Sequence, residues 1–243
     1  MSRTSSRTSP GVTDTSTTRR GVLMMLAGLF GAGLLGWPGS KMLADLDQEQ
    51  LRRSMRQAYG QAGLTAVEEW LALLNRLQQQ PVNIQLGAVN DFFNLRVGWR
   101  DDIDIWNQKD YWATPLETLA RGKGDCEDYT IGKYATLRQL NVAEEKLRLI
   151  YVKAWLGRGQ GAQAHMVLGY YHTPGSEPLI LDNIIPNITR GGERTDLEPL
   201  FSFNGSGLWA QGSSQSRADP LERLSRWRSV IERMQQHGFL RGR

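Results

Sequence analysis

With 243 residues and one cysteine, the chain is long enough for a single core that carries a pocket, and it excludes an internal disulfide framework. Its formal charge of +4 comes largely from arginines at the two ends: Arg3, Arg7, Arg19 and Arg20 ahead, and Arg223, Arg226, Arg228, Arg233, Arg241 and Arg243 behind. No basic cluster interleaved with aromatics occupies the middle, so the charge does not point to nucleic acid as a partner.

In chain order, residues 1–20 are rich in Ser, Thr and Arg and too polar to fold. Arg19 and Arg20 then precede the uncharged run 21–37, GVLMMLAGLFGAGLLGW, which has the layout of an export signal and is just long enough for a membrane anchor. Its five glycines are costly for a soluble helix. Residues 1–40 are therefore expected to be a disordered basic extension followed by an export signal or anchor, and 41–243 a single domain.

Residues 41–59 read as helical. The clearest early helix is 64–80, with Val67, Trp70, Leu71, Leu74 and Leu77 at helical spacing, a Thr65–Glu68 capping box and Pro81 as its stop. A second short helix is expected from Ile84 to Phe93. Residues 98–116 form a segment with Asp101, Asp102, Asp104 and Asp110, three tryptophans and Tyr111. Such a segment can fold over a core and offer carboxylates to a cation or substrate, or it can be an aromatic-pinned loop without a ligand. Pro115 opens a short helix ending at Gly122.

Asp125 or Gly124 then caps a further helix whose inward stripe is Ile131, Tyr134, Ala135, Leu137 and Leu140. Cys126 falls in its first turn, where free N–H groups and the helix dipole favour a thiolate. Three extended segments follow, 147–156, 164–172 and 178–183, with a turn at 157–161; they predict an antiparallel sheet packed on the Cys126 helix. Residues 187–198 are polar, 201–216 are rich in Ser, Gly and Gln, and 219–237 predict a basic closing helix with Leu221, Leu224, Trp227 and Ile231 on one side.

Cysteine catalysis needs a thiolate, an imidazole to relay its proton and a third group to orient the imidazole. Cys126 opening a helix, His165 near the start of a strand and Asp182 at the end of the next supply these in order. The alternatives are a small buried cysteine and a structural histidine. The run DYWATPLETLARGKGDCEDYTIGKYATLRQL (110–140), AHMVL (164–168) and LDN (181–183) resembles the bacterial transglutaminase-like cysteine peptidases, specifically the periplasmic members that release surface adhesins.

That resemblance implies an α+β fold with a papain-like, transglutaminase-like core, the catalytic Cys at a helix N-terminus packed on an antiparallel sheet, and a triad of Cys126, His165 and Asp182. It implies calcium-dependent endoproteolysis, with Asp125 and Glu127 as metal ligands and Asp101, Asp102, Asp104 or Asp128 able to complete the shell. The substrate it implies is a large surface adhesin, cut near its N-terminus at a di-alanine site so that the biofilm disperses. The partner is the periplasmic domain of an inner-membrane cyclic-di-GMP receptor that sequesters the protease, and the location is the periplasm, free or anchored through 21–37. Competing readings are a transglutaminase or amidase using the same triad, a non-enzymatic periplasmic binding protein, and a cell-wall peptidase. Trp155, Tyr170 and Trp209 are the expected walls of a narrow substrate slot.

Overall fold

A computed structural model describes residues 46–239 apart from 156, 158–160, 212 and 214. The basic extension, the apolar run 21–37 and most of the 157–161 turn lie outside the described residues. Among the described residues no helix is long and apolar enough to cross a membrane.

The first helix, α1, runs Gln48–Leu77, with Asp47 Oδ1 accepting from the Gln50 amide at its start. It breaks at Gly60, whose φ of 60° and ψ of −138° suit only glycine. The two helices expected on either side of this point are thus continuous in the chain. Thr65 sits inside the second half, so the expected capping box does not form; Glu68 instead meets Arg52 at 2.7 Å. Pro81 starts α2, Val82–Arg96, which is longer at both ends than the sequence pattern suggested.

The strand β1, Gly98–Trp99, and the five-residue helix α3, Asp102–Trp106, occupy the acidic segment. Then come α4, Pro115–Arg121, with a complete Thr114–Glu117 capping box and Gly122 as a left-handed stop; β2, Lys123–Gly124; and α5, Cys126–Gln139. β1 and β2 pair in parallel, and Arg100 N donates to Gly124 O at 3.0 Å, fixing the approach to Cys126.

The sheet is built from β3 (Leu147–Ala154), β4 (Gln163–Tyr170), β5 (Leu179–Leu181), β6 (Thr189–Arg190), β7 (Leu197–Phe203) and β8 (Leu208–Ala210). It is antiparallel throughout, in the order β6-β5-β4-β3-β7-β8. The last three strands went unseen because their surroundings are polar and Gly-rich. Phe201 and Phe203 nevertheless alternate across Ser202, and Tyr151 stacks on Phe201. The closing segment is two helices, α6 (Pro220–Arg223) and α7 (Ser225–His237), separated at Leu224. α7 buries Trp227, Val230 and Met234, and the break leaves Leu221, Leu224 and Ile231 only partly covered.

One face of the sheet and the helices enclose the main core, and α5 runs through its middle. Its expected one-sided stripe is too narrow a description: every residue from Glu127 to Leu137 is buried. Gly132 lets α2 approach, since a Cβ there would lie 2.3 Å from the Phe93 ring. Trp70 Nε1 donates to Thr136 Oγ1 at 2.9 Å and ties α1 to the same helix. This α+β architecture places the N-terminus of α5 beside β4.

Candidate active site

Asp125 caps α5 with extended backbone (φ −106°, ψ −166°), but its side chain makes no capping bond. Cys126, partly buried, follows it, and its Sγ lies 2.7 Å from Glu127 Oε2. Burial pushes the thiol well above its ordinary range, and Glu127 and Asp125 push it further; a hydrogen bond to the Met166 backbone opposes them. The helix terminus alone therefore does not deliver the thiolate. The two neighbouring acids and burial outweigh it.

Met166 follows His165 on β4, and its backbone O accepts from Thr130 Oγ1 of α5 at 3.0 Å, which ties the strand to the Cys126 helix. His165 is buried and its Nε2 sits 2.8 Å from Asp182 Oδ1. The antiparallel pairing of β4 with β5 brings the two together, since Asp182 follows Leu181, the partner of Leu168. Around Asp182, Ile184 N donates to Oδ1 at 3.1 Å, and Arg194 Nη2 donates to Oδ2 at 2.8 Å. From α2, Asn94 Nδ2 holds the Asp182 carbonyl at 2.9 Å. Burial alone would raise this carboxyl, but His165, the Ile184 amide and Arg194 together outweigh it and hold it at about 2. An ionised Asp182 and an Nε2-bound imidazole leave Nδ1 as the ring nitrogen for proton transfer.

A second acidic group stands on the other side of Cys126. Asp102, Asp125 and Asp128 each offer an oxygen within 4.8 Å of the others, and Asp125 and Glu127 form a similar group with Cys126. One oxygen of Asp102 accepts from Tyr111 N at 2.5 Å and one of Asp128 from Ala113 N at 2.8 Å. The remaining oxygens, Asp102 Oδ1 and Asp128 Oδ2, are buried without a partner, as is Asp125 Oδ1. Burial, and then mutual repulsion, push all three carboxyls upward. Hard oxygens clustered without enough donors fit a divalent cation that takes six to eight oxygen ligands. Of the other acids weighed from sequence, Asp101 precedes α3 exposed and without a capping bond, and Asp104 is exposed 3.7 Å from Arg100; neither joins the group.

The expected slot walls are dispersed. Tyr170 is in the main core, and Trp209 lies against Arg148, its ring 4.1 Å from the guanidinium; only Trp155, 45% exposed at the end of β3, faces solvent. Trp112 is buried, its Nε1 donating to Asp110 Oδ1 at 3.0 Å. His172 is exposed beyond β4. Two residues escaped the sequence reading. Lys133, 1% exposed in the middle of α5, is pushed by burial down to about 7 with Asp182 and Asp91 opposing; a lone charge within YTIGKYATL was its signal. Arg194 had none, since its target lies in a different segment.

A family model described as bacterial transglutaminase-like cysteine proteinase BTLCP matches residues 72–196. No curated protein sequence matches the chain. Among solved structures the chain is similar to Legionella pneumophila LapG in its EGTA-treated form, at 37% identity and TM-score 0.67, over 77% of this chain and 97% of that one. It is likewise similar to the calcium-bound form, at 37% identity and TM-score 0.64, over 77% and 98%.

Proposed function

The chain belongs to the bacterial transglutaminase-like cysteine proteinases and is a cysteine peptidase, and we propose that it is a calcium-dependent endopeptidase that cuts a large surface adhesin near its N-terminus at a di-alanine site. Such a cut frees the adhesin and promotes biofilm dispersal. The observation that carries the assignment of roles is the buried His165 Nε2–Asp182 Oδ1 pair at 2.8 Å, on the strand whose next residue, Met166, bonds to Thr130 of the Cys126 helix.

In this reading His165 Nδ1 takes the thiol proton as Cys126 Sγ attacks the scissile carbonyl carbon. The C–N bond breaks, the imidazolium returns the proton to the leaving amine, and water then hydrolyses the thioester with His165 again as base. Asp182 holds the imidazole in the required tautomer throughout. The backbone N–H of Cys126, at the start of α5, is the candidate oxyanion donor.

Asp102, Asp125 and Asp128, with Glu127, are the residues that would hold calcium, because three of them carry buried oxygens without partners. Calcium, when bound, supplies the positive charge this acidic group lacks. Resemblance to a calcium-bound relative supports the same choice. Glu127, whose Oε2 lies 2.7 Å from Cys126 Sγ, would be shared between the thiol and the cation site. We place the protein in the periplasm, with 21–37 as export signal or inner-membrane anchor. The periplasmic domain of an inner-membrane cyclic-di-GMP receptor is its proposed inhibitor.

The test is incubation of the purified protein with an adhesin N-terminal fragment, with calcium or with chelator, reading product termini by mass spectrometry. One calcium-dependent cut between two alanines is expected, and none by Cys126→Ala. No cut under either condition, or cutting retained in Cys126→Ala, overturns the reading.

A further inference from the structure

Asp182 is gripped from two sides. His165 occupies Oδ1 and Arg194 Nη2 occupies Oδ2, both at 2.8 Å. Arg194 is itself fixed: its Nε and Nη2 lie 2.9 and 2.7 Å from the two carboxylate oxygens of Asp196. Its backbone is set by the 3₁₀ turn Gly191–Glu193, with Arg194 N donating to Gly191 O at 3.1 Å. Burial tends to strip its charge, but the bonds to Asp196 and Asp182 outweigh burial and leave it more firmly protonated than a free arginine. A carboxylate held at one oxygen can swing about its Cβ–Cγ bond; held at both, it presents Oδ1 in one direction.

We propose that Arg194 is a positioning residue of the catalytic site, aiming Asp182 at His165, with Asp196 as the anchor that keeps the guanidinium in place. The inference rests on the triad reading above. Arg194 does not touch substrate in this scheme. Arg194 also lines a cavity of about 380 Å³, together with Ile150, Val152, Val167 and Ile180. Removing the Arg194 side chain would enlarge this cavity, which is where an added guanidinium ion would enter.

The experiment uses the full chain and a fluorogenic peptide that spans a di-alanine bond. Active sites are counted by endpoint titration with a dialanyl peptide electrophile that reaches Cys126, the single cysteine, through the folded site, so misfolded protein does not enter the rate. Arg194→Ala should lower kcat per labelled site on the order of 10- to 100-fold, the scale of a small misplacement of reacting groups, with KM within about twofold. Added guanidinium should restore a measurable part of kcat. A kcat per labelled site that stays at the wild-type value overturns the proposal, and so does a deficit that guanidinium leaves untouched, which would assign Arg194 to the fold alone. Absence of cleavage by the wild-type protein would instead sink the di-alanine substrate reading, so the two failures are distinguishable.

Discussion

Two buried acidic centres flank the α5 N-terminus and β4, and their charge balance is opposite. On the sheet side Asp182 has an imidazole, a guanidinium and a backbone amide around two oxygens, and it is held ionised. On the helix side Asp102, Asp125 and Asp128 gather with Glu127, and backbone amides of the 111–113 segment donate to the first and last of these aspartates. A fixed guanidinium and hydrogen-bond donors complete the first centre within the chain; the second contains no lysine or arginine partner among the described residues, and its carboxyls are pushed upward. Burying a carboxylate is tolerable when a paired charge or a metal offsets the lost hydration. The comparison teaches that Asp182 is a finished part of the fold, whereas the helix-side group lacks the positive charge that the proposed calcium would supply.

Substitutions sharpen that contrast, beginning with the largest effect. Asp182→Asn keeps the shape of the completed centre but favours the wrong imidazole tautomer, so kcat should fall by roughly 10³- to 10⁴-fold, read by single-turnover peptide cleavage. Near-normal turnover would reassign the orienting acid. On the other side, Asp128→Asn should weaken calcium binding by at least the roughly 10- to 100-fold that loss of an outer-shell partner costs, measured by titration calorimetry. Unchanged affinity would remove the Asp102–Asp125–Asp128 group as the metal site.

The pH dependence of stability separates the two centres further. The Asp182 carboxyl falls from its ordinary 3.8 to about 2 on folding, so its stabilisation is complete above the unfolded value and disappears as pH drops through about 2. Thermal melts between pH 5 and pH 2 should therefore show a steeper acid loss for wild type than for Asp182→Asn. Parallel curves would mean that Asp182 gains nothing from its partners. The smallest effect belongs to Asp104, exposed and 3.7 Å from Arg100. Asp104→Asn should leave calcium affinity within about twofold, as expected for a surface charge, and a larger loss would bring α3 as a whole into the metal site.

Much of the site was legible because its parts are local. A histidine on one strand and an aspartate closing the next need only one antiparallel pairing to meet, and Leu168 opposite Leu181 provides it. The acidic group was half legible: Asp125, Glu127 and Asp128 share a helix start, but which of Asp101, Asp102 and Asp104 turns inward depends on Tyr111 N catching Asp102 Oδ2. Arg194 was not legible, because its importance comes from a turn after β6 folding back onto Asp182. In the fold, α5 read as one-sided because Lys133, Thr136 and Glu127 look like solvent residues, yet all three are buried. β6 and β8 were hidden by short length, and all three last strands by polar flanks, where tertiary pairing rather than local propensity makes the strand.

The dependence of the nucleophile on the unfinished centre has a direct readout, because any thiol label on this chain reports Cys126 alone. Cys126 Sγ lies 2.7 Å from Glu127 Oε2, a contact that holds the proton on sulfur. The rate of Cys126 alkylation by iodoacetamide at neutral pH, measured with calcium and with chelator, should be clearly faster with calcium and should lose that acceleration in Asp128→Asn. Equal rates with and without calcium would contradict the link between the acidic group and the thiol, and leave the cation without a part in activating Cys126.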